Sequence, residues 1–212
     1  MKKLLALVFA AVISQPVLAD IIDVEYSRFY SHVRKLGSDD TQALQFAFGF
    51  LRVGEGRLCD INTATIVTDK QQMPLEVSPE NRFTVPTEKA LKMAEAFIRI
   101  DLAERANVCD MSVQLETKPE FVKREYTAEE LAMLLDNYRA FFNEMGSFLS
   151  FMMPSVEGLM IHFEDDELDS LIKDAPAINN GMLMLDMDWL NKGKGIELPQ
   201  KPLRVTAIAS KS

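Results

Sequence analysis

Few residues of this 212-residue chain are of types that carry chemistry: two histidines, His32 and His162, and two cysteines, Cys59 and Cys109. His162 has the most suggestive neighbours. On a strand His162, Glu164 and Asp166 would project from one face, offering a ring nitrogen and two carboxylates to a divalent ion. The plainer reading is a strand end running into the acidic stretch 164–169, so no metal is assigned and these three are kept as the residues that would hold one. Met182 and Met184, with the tandem Met152-Met153, suggest thioether ligation of Cu(I), but no tight Met and His repeat exists and methionine commonly fills cores. H-E-x-x-H, G-x-S-x-G, Walker and EF-hand motifs are all missing, and two histidines leave little material for a triad. No catalytic residue and no cofactor is assigned. An enzyme would here be a hydrolase using carboxylates such as Glu164 or Asp166 without a recognisable motif.

The cysteines carry a different chemistry. Leu58-Cys59-Asp60-Ile61 and Val108-Cys109-Asp110-Met111 each place an apolar residue two positions after the sulfur, so on strands both thiols share a buried face. There is no C-x-x-C and no basic residue placed to lower a thiol pKa, which favours a structural bridge over a redox or metal pair. A further surplus of apolar residues sits at Phe141, Phe142, Phe148, Phe151, Met152 and Met153. Such a surplus buries against two neighbours or lines a cleft for a small apolar ligand.

Bridging requires an oxidising compartment, and the N-terminus supplies the address. Lys2-Lys3, an apolar run over residues 4–13, Ser14-Gln15-Pro16 and Val17-Leu18-Ala19 before Asp20 read as a secretory signal cleaved after Ala19. The run is too short to span a bilayer, and the first cysteine lies far from the cut, so neither a membrane span nor a lipid anchor is expected. With 48% apolar and 26% charged residues the chain has the composition of a folded protein rather than a disordered one. A formal charge of −9 argues against nucleic acid or an anionic membrane surface as partner.

The elements that must position these residues begin with an extended piece passing into helix over 23–36. Residues 44–53 alternate, with Leu44, Phe46, Phe48 and Phe50 on one face, as a strand does. Further strands are expected over 57–68, 75–77, 81–85, 96–102 and 108–117, with a short helix near 87–92. Thr127 and Glu130 form a capping box ahead of Leu131, Leu134, Leu135, Tyr138, Phe142, Met145 and Leu149, predicting a long amphipathic helix that stops before Pro154. Asp136, Asn137 and Arg139 fall on its opposite, solvent face. Strands over 158–163, 182–190 and 203–209, and a short helix after the acidic stretch 164–169, complete the expectation. The fold class is α+β: a disulfide-stapled antiparallel β-sandwich-like region with a long amphipathic helix and C-terminal strands. Residues 1–19 are the signal peptide and 20–212 one domain, with 119–126 as the place where a second unit would begin.

Several stretches together resemble a family of small exported gamma-proteobacterial proteins catalogued only as a numbered domain of unknown function. They are Tyr26-Ser27-Arg28-Phe29-Tyr30, the two cysteine segments, Val85-Pro86 followed by Leu91-Lys92, and Glu197-Leu198-Pro199-Gln200-Lys201-Pro202-Leu203. The resemblance implies a periplasmic location and carries no catalytic residues. The functional expectation is a non-enzymatic binding module that engages another envelope or periplasmic protein. A carrier of a small apolar ligand is the alternative and a hydrolase the third reading.

Overall fold

The computed structural model describes residues 20–145 and 155–210. The chain enters as strand β1 (Asp20–Glu25) and turns directly into helix α1 (Tyr26–Val33), which buries Tyr26, Phe29 and Val33. Strands β3 (Ile61–Val67), β4 (Gln72–Leu75) and β5 (Phe97–Leu102) join β1 in an antiparallel sheet of order β1-β5-β3-β4. The short helix α2 (Lys89–Met93) precedes β5. Strand β2 (Leu44–Arg52) pairs along its full length with β6 (Cys109–Thr117), Leu44 opposite Thr117 and Arg52 opposite Cys109. A third sheet holds β8 (Val156–His162), β9 (Met182–Asp186) and β11 (Arg204–Ala209) in the order β11-β8-β9. Two-residue strands β7 (Glu125–Tyr126) and β10 (Ile196–Glu197) pair with each other.

The long helix, α3 (Ala128–Met145), starts as its capping box requires: Thr127 Oγ1 accepts from Glu130 N at 3.2 Å, and Thr127 N donates to Glu130 Oε2 at 3.0 Å. Leu131, Leu134, Leu135 and Tyr138 face the core. The stripe then continues through buried Phe141 rather than Phe142, which is half-buried, and Met145 is exposed. Asn137, expected on the solvent face, is buried. Its Oδ1 accepts from Ala43 N at 2.9 Å and its Nδ2 donates to Met133 O at 3.0 Å, so it satisfies a backbone donor just ahead of β2. One contiguous cluster of buried side chains runs from Tyr26 to Val205 and includes Phe48, Ile98, Tyr138 and Trp189.

The mixed α+β class, the antiparallel sheets and the staple are as the sequence indicated. Cys59 and Cys109 form the disulfide, with Cα atoms 6.3 Å apart. Cys109 opens β6, whereas Cys59 precedes β3, its N–H bonded to Phe50 O at 2.7 Å, so the bridge ties a loop, not a second strand, to β6. Two other stretches differ. The apolar run 182–190 is strand only to Asp186, whose carboxylate accepts from Trp189 N at 2.8 Å and caps helix α4 (Met187–Leu190). The stretch after 164–169 is not helical: Asp165 bonds Glu167 N at 3.0 Å and Asp169 bonds Asn180 N at 2.9 Å, using acids as turn acceptors.

Candidate functional site

Three clefts share Arg204, the first residue of β11, and Arg82 is the second charged wall of two of them. Arg82 leaves a tight turn. Asn81 sits in the left-handed region (φ 56°), its Oδ1 accepting from Ile61 N at 3.0 Å and its Nδ2 donating to Asp60 Oδ1 at 2.8 Å. The turn lies against β2, where a Cβ on Gly49 would come within 2.9 Å of Asn81 O, and Phe83 exchanges two 2.8 Å backbone bonds with Phe48. Both guanidiniums therefore project from tethered backbone.

Arg204 is ion-paired to Glu80 and lies opposite His162, with Nη2 3.4 Å from His162 Nδ1. A guanidinium only donates, so Nδ1 must be the acceptor and the ring proton resides on Nε2, which donates to Thr206 Oγ1 at 3.3 Å. Burial holds the imidazole below its ordinary range, against the opposing pull of the Asp166 charge. Among the described residues, Arg82 Nη1 and Arg204 Nε are buried and have no acceptor. Burial pushes both guanidinium pKa values down, and Glu116 offsets this in part for Arg82. Glu116, on β6, is itself pushed up by burial while Gln45 Nε2 (2.9 Å) and Gln114 Nε2 (3.0 Å) donate to it.

The clefts differ in character. The first, about 260 Å³, holds Glu76, Glu80 and Glu116 along with the two arginines. The second, about 460 Å³, is lined by Arg82, Arg204, His162 and Tyr138 with apolar Val113 and Phe142, and no acid lines it among the described residues. The guanidiniums thus stand between an acidic compartment and one where they are the only permanent charges. The Tyr138 hydroxyl, fully buried at the second cleft, donates to Val205 O at 2.8 Å and contacts Thr117 Oγ1 at 3.1 Å.

Comparison with protein-family models matches residues 18–163 to the family described as "Protein of unknown function (DUF2987)". The chain belongs to this family. Arg82, Glu116, Tyr138 and His162 fall within the matched stretch, and Arg204 and Thr206 beyond it. No curated protein and no solved structure matches the chain.

The residues singled out in the sequence are distributed unevenly around this site. His162 lies inside it. Glu164 and Asp166 line the third cleft with His162 and Arg204, but β8 stops at His162, so they sit on the following loop rather than along a strand face. Among the described residues the His, Cys, Asp and Glu group that closes to within 4.8 Å is Cys59, Glu104 and Cys109, whose thiols are spent in the disulfide. Of the Phe and Met cluster, Phe142 lines the second cleft and Phe141 packs in the core against Phe46; Phe148, Phe151, Met152 and Met153 lie outside the described residues. Met182 and Met184 are exposed on β9, with Leu183 and Leu185 buried beneath. Arg82 and Arg204, the centre of the site, belong to no motif and lie far apart in the chain, so only packing joins them.

Proposed function

We propose that this chain is a non-enzymatic binding module of the cell envelope that engages another envelope component through the cleft between Arg82 and Arg204. The observation that carries this reading is the pair of buried guanidinium nitrogens with no acceptor, Arg82 Nη1 and Arg204 Nε, beside a cleft of about 460 Å³. A buried guanidinium nitrogen without an acceptor costs stability even where, as in Arg204, the rest of the group is ion-paired to Glu80, and a partner's anionic group offsets that cost. Both nitrogens of His162 are engaged by Arg204 and Thr206, which suits a wall better than a proton shuttle. The periplasmic address rests on the signal-like residues 1–19 and cleavage after Ala19. It is supported by the disulfide, which persists in oxidising compartments.

The test is site-specific photo-crosslinking in intact cells. A crosslinker replacing Ser112, at the cleft, should give a discrete adduct that one replacing Lys89 does not, and Arg204→Met should abolish it. No adduct at position 112, or the same adducts at both positions, would overturn the reading.

A further inference from the structure

The second cleft has two walls made of strand edges, and alternation along the ladders shows which backbone groups they present. Phe48 exchanges its backbone bonds with Phe83, so it turns away from β6. Its partner across the β2–β6 ladder, Val113, therefore turns away from β2, and Leu115, two residues on, does the same. On β11 the carbonyl of Val205 points away from β8 to take the Tyr138 hydroxyl, so the N–H and C=O of Ala207 face that side as well. Among the described residues, β6 has only β2 and β11 only β8 as a hydrogen-bonded neighbour. Val113, Leu115 and Ala207 all line the second cleft, and the Tyr138 hydroxyl spans from Thr117 to Val205 at one end of it.

Unpaired strand edges are satisfied by another main chain, which a small organic anion does not supply. The charge in the same cleft narrows the partner further. Arg82 Nη1 and Arg204 Nε are buried without acceptors, and among the described lining residues no carboxylate competes for them on this side. Guanidinium pairs planar carboxylates in fork geometry, and Phe142 and Val113 offer an apolar surface beside it.

We infer that the cleft between β6 and β11 receives an extended polypeptide segment of a partner, whose main chain pairs with the free edge of β6 at Val113 and Leu115, alongside Ala207 of β11, and whose carboxylate meets Arg82 and Arg204. The inference rests on the binding-module reading and names the chemistry of its partner. A strand rises about 3.3 Å per residue, so the reach from Val113 to Leu115 corresponds to about three residues of ligand. Its carboxylate is an Asp or Glu side chain or a free C-terminus.

The experiment is selection of randomised heptapeptides, displayed with free and with blocked C-termini, against the oxidised protein of residues 20–212, followed by affinity measurement on synthetic peptides. Enriched peptides should carry an acidic side chain or a free C-terminus. They should lose about tenfold or more in affinity when the carboxylate becomes an amide, and similarly with Arg204→Met. N-methylation of alternate peptide amides should abolish binding, and the unmodified peptide should slow amide exchange at Val113 or Leu115. These last two readouts use the wild-type protein, so they stand even where Arg204→Met fails to fold, and Arg82→Met provides a second variant. No enrichment, binding indifferent to the carboxylate, or equal binding of hexanoate alone would overturn the inference. If crosslinking at position 112 survives while these results fail, only the peptide-carboxylate inference falls; if both fail, the binding-module reading falls too.

Discussion

Removing one oxygen, in Tyr138→Phe, tests the link between α3, β6 and β11. The phenol is fully buried, and its hydroxyl satisfies Val205 O at 2.8 Å and Thr117 Oγ1 at 3.1 Å. Thr117 and Val205 are themselves 2% and 1% exposed, so water does not readily replace what is lost. A buried polar group deprived of its partner costs about 1–3 kcal/mol. The Thr117 hydroxyl can rotate toward another acceptor, whereas the Val205 carbonyl cannot, so the expected loss is about 2 kcal/mol, dominated by the carbonyl. For a chain of this size that lowers Tm by roughly 4–8 °C. Urea titration at pH 7, with Thr117→Val and the double variant completing a cycle, gives the number directly. The cycle should show a coupling of about 1 kcal/mol, because the two hydroxyls touch. A Tyr138→Phe protein within about 0.5 kcal/mol of the parent, or strictly additive variants, would refute the placement of the hydroxyl between the strands.

Four further outcomes are expected. Asn137→Leu should cost about 2 kcal/mol in urea titration despite the better helix former, because Ala43 N loses its only side-chain acceptor. Cys59→Ser and Cys109→Ser should each lose a similar amount, about 4 kcal/mol for a loop of this length, and the double variant little more; additive losses would contradict the pairing. His162 should titrate below 6.5 by NMR as an Nε2–H tautomer; because its folded pKa is lowered, its contribution to stability is present above the unfolded value and is lost as pH falls from there through the folded pKa. His162→Gln should flatten that part of the stability profile, leaving the slope from His32, also lowered by burial. Arg82→Met made together with Glu116→Gln should leave the free protein as stable as the parent or raise it by about 1 kcal/mol, since the pair removes a desolvated charge whose Nη1 has no acceptor along with the buried carboxylate it partly compensates; a loss above about 2 kcal/mol would show that Arg82 is structural.

Where the sequence was legible, one local rule decided the outcome. Thr127 and Glu130 mark the start of α3 because a capping box needs only four consecutive residues, and the Phe46-Phe48-Phe50 alternation marks β2 because a strand's period is two. Asn137 was misplaced for the converse reason. Helical periodicity put it with Asp136 and Arg139, while the demand that buries it comes from the backbone of Ala43, far away in the chain. In the run 182–190 Asp186 and Asp188 fall in phase with Met182 and Met184 on one strand face, so nothing in its pattern says that Asp186 stops pairing and starts capping. The site was least legible of all. His162 could be flagged from its type, but Arg82 on a turn and Arg204 at a strand start become a pair only when the β2–β6 and β11–β8–β9 sheets come together around Tyr138.

The same non-local origin separates a functional arginine from a structural one. A structural guanidinium finds its acceptors within the fold, as Arg99 does with two bonds to Asp23 of 2.9 and 2.8 Å, and removing it exposes a loss. Arg82 has the opposite arrangement: a tethered backbone, a turn held by Asn81, and a buried nitrogen with no acceptor. The fold thus fixes its position while leaving its hydrogen bonding incomplete. Arginine does not shed its proton to escape that cost, as a histidine or lysine would, so the charge persists until an acceptor arrives. Stability and binding should therefore respond with opposite signs when Arg82→Met is combined with Glu116→Gln, the free protein holding or gaining while affinity for a carboxylate-bearing peptide falls. A purely structural role predicts that both fall together.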